Sequence, residues 1–112
     1  MKYTIEFYEK TDGTRPFDDW LNKQDHSIQY QIIAKLGRIE LGNLGNHKFL
    51  DQGVSEIKID VGPGFRMYYS KVGLKIILLL VAGTKKTQQK DIATAKQYLK
   101  DFEHRGKKNG KK

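Results

Sequence analysis

The strongest constraint in this chain is a series of three period-two segments between Val54 and Val81, separated by very short breaks. In Val54–Val61, Ser55, Ile57, Ile59 and Val61 fall on one side of an extended strand, and Glu56, Lys58 and Asp60 on the other. Gly62-Pro63-Gly64 then reads as a turn, since proline fixes φ and glycine accepts a positive φ. Phe65–Lys71 alternates again, with Phe65, Met67 and Tyr69 sharing a side and Arg66 and Tyr68 the opposite one. After Val72-Gly73, Lys75–Val81 is apolar on both sides, the pattern of a central strand. Strands joined by turns this short lie antiparallel, so the chain is committed to a sheet with an apolar face that needs a cover.

The cover is written upstream and downstream. Tyr3–Tyr8 alternates as a first strand and is broken by Thr11-Asp12-Gly13-Thr14. Pro16 sits where a first helical residue belongs, followed by Asp18 and Asp19, which suit the positive end of a helix dipole. Phe17, Trp20 and Leu21 fall at i, i+3 and i+4, with Trp20 a core residue. A second helix starts near Asp25 or Ser27 with Ile28, Ile32, Leu36 and Ile39 on one stripe, and stops at Gly42-Asn43. Gly83–Thr87 is a loop, and a last helix carries Ile92, Ala95, Leu99 and Phe102. The expected order is β-α-α-β-β-β-α: an α+β fold with a largely antiparallel sheet and its helices packed on one face.

Charge and composition narrow the function. The formal charge is +8, from 21 Lys and Arg against 13 Asp and Glu. Residues 104–112, HRGKKNGKK, supply five of those cations and no acid, which leaves 16 basic against 13 acidic residues in a single domain over 1–103. The tail is expected to be disordered. With no cysteine there is neither a disulfide framework nor a thiolate site, and a reducing cytoplasm is the natural compartment. The longest apolar run, Ile76–Ala82, is far too short to span a membrane, and the N-terminus lacks the apolar stretch of a signal peptide. Carboxylates and histidines are scattered, with His26 and His47 incidental, so neither a metal nor another cofactor is expected.

If the helical hairpin covers the side carrying Ile57, Met67 and Tyr69, then Lys58, Arg66 and Tyr68 point away from it. The loop at Lys85 and Lys86 leaves the end of the neighbouring strand toward the same surface. Arg66 offers a fork for phosphate oxygens, Tyr68 a stacking face and a hydroxyl, and Lys58 and Lys85 compact cations. RNA can be cut without metal because its 2′-hydroxyl is a built-in nucleophile. A base for that proton, cations for the phosphorane and an acid for the leaving 5′ oxygen suffice. Arg66 is the candidate for phosphate stabilisation, and Tyr68, Lys85, Lys58 and Glu56 are candidates for proton transfer, with acid and base unassigned. The plainer alternative is that Glu56 and Arg66 simply pair across neighbouring strands, that Tyr68 packs, and that the lysines are solvated.

Five segments in order carry a resemblance: Phe17–Leu21, Arg38–Gly45, Gly53–Lys58, Gly62–Tyr69 and Leu79–Ile92. Together, over residues 3–102, they resemble the addiction-module killer proteins, the HigB-like or phage Gp49-like branch of the RelE/ParE toxin superfamily. The resemblance implies a RelE-like fold with a curved sheet, and a cognate antitoxin, commonly a small helix-turn-helix protein. It also implies cleavage of messenger RNA, commonly in the ribosomal A site. The matching pattern brings in Glu56, Arg66, Tyr68, Lys85, Gln88 and Asp91, with Lys48, Lys58, Lys86 and Gln88 expected to hold the RNA. Two departures stand out: Thr84 replaces the acid of the family's Gly-Gly-Asp-Lys motif, and Ile57-Lys58 replaces Leu-Arg. A ParE-like poison of DNA gyrase, or a degenerate module that only binds antitoxin, remain as the other readings.

Overall fold

The computed structural model describes residues 2–109. Its elements run β1 (Thr4–Phe7), α1 (Pro16–Asn22), α2 (His26–Glu40), β2 (His47–Asp51), β3 (Val54–Ile59), β4 (Phe65–Val72), β5 (Ile76–Thr84), a 3₁₀ turn (Lys85–Thr87) and α3 (Gln88–Asn109). One five-stranded sheet has the order β1-β5-β4-β3-β2. The β2–β5 strands pair antiparallel in sequence, and β1 closes the far side parallel to β5.

The start signals act as expected. Pro16 opens α1, and Phe17, fully buried, tilts against Trp20, whose ring meets Phe65 edge-on at 5.5 Å. Asp25 caps α2 by accepting a hydrogen bond from the Ile28 N–H at 3.0 Å. Ile28, Ile32 and Ile39 of α2 then pack with Ile57, Ile59, Phe65, Met67, Tyr69, Ile77 and Leu79 into one core.

Two expectations are corrected. β2 was not foreseen: His47–Asp51 is an edge strand with only Leu50 partly buried, so no apolar alternation announces it. Its signal is the tight turn to β3, where Gln52 and Gly53 both take positive φ, at 50° and 83°. The helices do not share one face either. α1 and α2 cover the first core, while α3 lies across the opposite side, where Ala95 and Leu99 pack on Tyr8, Val54, Tyr68, Leu78 and Leu80. The doubly apolar β5 demands this second cover. A slip of register between Tyr68 and Tyr69 leaves Leu80 without a partner, and both Leu80 and Val81 turn into the α3 core.

α3 continues through His104–Asn109, where the composition suggests a disordered basic tail. Its last turns are held to the segment just after β1: Tyr8 Oη donates to Asp101 at 2.5 Å, and Arg105 donates to Asp101 and to the Glu9 carbonyl, each at 2.6 Å. Residues 110–112 of the tail lie outside the described residues.

Candidate functional site

The site is built on cross-strand rows. Glu56 on β3 stands opposite Tyr68 on β4, which stands opposite Val81 on β5, and the next row is Lys58, Arg66 and Gly83. All four named polar side chains therefore rise on the α3 side of the sheet. The strand pattern put Lys58, Arg66 and Tyr68 on a common side, and the register confirms that grouping. Beyond Gly83 the chain turns through Lys85 and Lys86 into α3, so the loop lysines hang over the end of the same rows.

What the pattern did not show is that α3 closes over part of this surface. Tyr68 is wholly buried, with its ring in the core under Ala95 and Leu99, so it offers no stacking face for a base. Glu56 is likewise sealed at 1% exposure, and the Arg66 side chain keeps only 12%. Arg66 Nε lies 3.6 Å from Glu56 Oε1, an ion pair too long to be a good hydrogen bond. Among the described residues Glu56 Oε1, Arg66 Nε and Tyr68 Oη find no hydrogen-bond partner. Such unpaired polar groups are costly in a core, and their closeness makes this row the candidate site. Burial, then the negative charges of Glu56 and Asp91, push the Tyr68 hydroxyl well above its usual range against the opposing pull of Arg66, so it stays a proton donor at neutral pH.

Asp91 joins the cluster from the first turn of α3. Its Oδ2 accepts from the Thr87 hydroxyl at 2.5 Å, and the pair sits on Gly83, where a Cβ would collide with both side chains. Thr87 and Gly83 were not singled out in the sequence, although Thr87 and Asp91 stand four residues apart at the mouth of a helix. The outer part of the site is a cleft of about 210 Å³ in which Lys58, Arg66 and Lys85 meet Asp60 and the Pro63-Gly64 turn. Lys85 and Lys86 also border a second hollow against Pro63 and Thr84. Gln88, half-buried, begins α3 just behind them. Lys48 is exposed on β2 opposite Glu56 and lines none of these hollows. The predicted residues thus divide into a sealed group, Glu56 and Tyr68, an accessible cationic group, Lys58, Lys85 and Lys86, and Arg66 bridging the two. Among the described residues no three carboxylates or histidines cluster as metal ligands would, and no helix is long and apolar enough to cross a membrane.

Two comparisons fit this architecture. The family model described as "Phage derived protein Gp49-like (DUF891)" matches residues 19–100, the span from α1 to α3 that carries every site residue named above. An uncharacterized protein of Haemophilus influenzae is 38% identical over 84 residues, covering 74% of this chain and 85% of that protein. The chain belongs to the phage-derived Gp49-like family of addiction-module killer, RelE-like toxins.

Proposed function

We propose that this chain is the toxin of a type II toxin–antitoxin pair and acts as a metal-independent endoribonuclease on messenger RNA in the ribosome. Membership of the family implies a cognate antitoxin, which on this reading is a small helix-turn-helix protein. The observation that carries the proposal is the meeting of Lys58, Arg66 and Lys85 around one small cleft, with unpaired polar atoms of Glu56, Arg66 and Tyr68 beneath it. A scissile phosphate placed there meets three cations. The 2′-hydroxyl gives its proton to a base as its oxygen attacks phosphorus, the 5′ oxygen leaves with a proton from an acid, and a 2′,3′-cyclic phosphate and a 5′-hydroxyl result. Arg66 and Lys85 stabilise the negative charge that grows on the phosphorane oxygens. Glu56 and Tyr68, sealed from solvent, act through Arg66 as positioning residues, so the accessible proton carriers are the lysines and groups of the ribosome itself.

The test is a defined message translated on purified ribosomes with the protein added, with cleavage mapped by primer extension. Wild type is expected to cut within the reading frame, and Arg66→Lys to cut about 10²–10³-fold more slowly, the loss typical of one misplaced charge-stabilising donor. A wild-type protein that leaves the message intact while still binding its antitoxin would support the reading of a non-catalytic module. The burial of Tyr68 and Glu56 is the observation that favours that second reading.

A further inference from the structure

A third hollow, of about 570 Å³, opens at the end of β5 on the far side of Gly83 from Arg66. It exists because β1 is short. The last β1–β5 pair is Phe7 with Leu79, closed by the Tyr8 N–H bonded to the Leu79 carbonyl at 2.9 Å, after which the chain turns away. Beyond that pair β5 keeps β4 on one side, and among the described residues no strand runs beside Val81–Thr84 on the other. α1 flanks this open edge on one side and α3 on the other, with Trp20 and Tyr98 giving apolar walls. Its rim carries Lys10, Lys23 and Lys90, one from each flanking segment, all exposed, and none in an ion pair among the described residues. The slot's two carboxylates are Asp19 and Asp91, and Asp91 is turned toward Thr87.

The slot neighbours the cleft at Arg66 through shared lining residues. Gly83 and Thr84 line the slot, Thr84 and Lys85 the hollow beside Pro63, and Lys85 and Arg66 the cleft. Lys58, Arg66 and Gly83 form one cross-strand row, so at strand spacings of about 4.8 Å the track from Lys58 to the slot is on the order of 15 Å. A cationic groove with apolar walls, running past a phosphate-sized cleft, matches the way single strands are held. We propose that this slot is a second RNA subsite, taking a nucleotide that flanks the scissile bond, with Lys10, Lys23 and Lys90 contacting its phosphates. The inference rests on the reading that the chain acts on RNA. It adds the surface on the other side of Gly83 from Arg66, and it favours a nucleic acid over an acidic peptide because the rim lysines lie beside the cleft that Lys58, Arg66 and Lys85 line.

The experiment measures binding of 2′-O-methyl oligouridylates of about 3 and about 8 nucleotides, a range that brackets a single binding groove, across a series of salt concentrations. It compares wild type with Lys10→Glu/Lys23→Glu/Lys90→Glu. All three positions are exposed, so the fold should survive, and a thermal melt checks it. The expected result is a tenfold or greater gain with length in wild type that vanishes in the triple variant. The salt slope for the longer strand should fall by about 2, near 0.7 for each lost phosphate contact, while the short strand binds as before. A triple variant that keeps the length gain overturns the subsite and leaves the RNA reading standing. One that keeps it but no longer binds an oligoglutamate peptide assigns the slot to a protein partner, and likewise overturns the subsite. A wild-type protein that binds neither oligonucleotide overturns both the subsite and the reading beneath it.

Discussion

Arg66 has two neighbours with opposite demands. Toward solvent it meets Lys58 and Lys85 around the cleft, and inward it pairs with Glu56, whose carboxylate is 1% exposed. Viewed as a strand residue pointing away from the helical hairpin, it reads as an exposed, phosphate-facing cation, and Arg66→Ala is then expected to abolish function without touching the fold. The sealed Glu56 changes that expectation. Removing the guanidinium strands a buried carboxylate, a loss of roughly 3–5 kcal/mol. Glu56→Gln/Arg66→Gln, which neutralises both partners, is expected to recover more than half of that loss. Urea denaturation of the two variants measures the difference, and equal stability would mean that the pair carries no coupling. Arg66→Lys keeps the charge and loses the fork, which makes it the cleaner functional probe.

At the scale of elements, the caps and stripes of α1 and α2 were written plainly. Pro16, Asp25 and the Ile28–Ile32–Ile39 stripe determine where those helices begin and which side they bury. Asp25→Ala should cost about 1 kcal/mol by leaving the Ile28 N–H without its acceptor, read as a lowered urea midpoint with an unchanged slope. An unchanged midpoint would show the cap to be idle. β3, β4 and β5 were equally legible, because alternation and the Gly62-Pro63-Gly64 turn set their register. β2 was not, since an edge strand with exposed Phe49 has no face to bury and so no period to read. The placement of α3 was hidden for a different reason. Its stripe says that it packs, but only the apolar residues on both sides of β5 say where, and the central-strand character of Leu78, Leu80 and Val81 does not by itself name their cover. The same omission made Tyr68 look exposed. Of the site, the grouping of Glu56, Lys58, Arg66 and Tyr68 was legible from period two alone, whereas their unequal burial depends on α3, which alternation cannot encode.

The whole molecule is a sheet clasped from both sides, with the two ends of the chain tied together by Tyr8, Asp101 and Arg105. Tyr8 also stacks on Tyr98 of α3, with ring centroids 4.6 Å apart. Burial and then the Asp101 carboxylate raise the Tyr8 hydroxyl from 10.0 to about 12. The folded state therefore holds this proton more tightly than the unfolded chain. Its contribution is complete below the unfolded value and is lost as pH rises from about 10 to about 12. Tyr8→Phe should be less stable at neutral pH and show a flatter decline over that alkaline window, measured by urea midpoints at stepped pH. A variant whose alkaline decline matches wild type would place the tie elsewhere. The clasp holds α3 in place over Tyr68, and α3 in turn carries Asp91 to the mouth of the candidate site.

The central claim is that this fold presents a phosphate-cutting cleft to messenger RNA, and Lys85 tests it best, being exposed at the cleft and free of any packing role. The measurement is brief induction in bacteria followed by mapping of new 5′-hydroxyl ends on cellular RNA, with Lys85→Ala in parallel. The account predicts new ends within translated messages for wild type and at least tenfold fewer for Lys85→Ala at equal protein level. Growth arrest with no new ends, or cutting by Lys85→Ala at the wild-type rate, would contradict it.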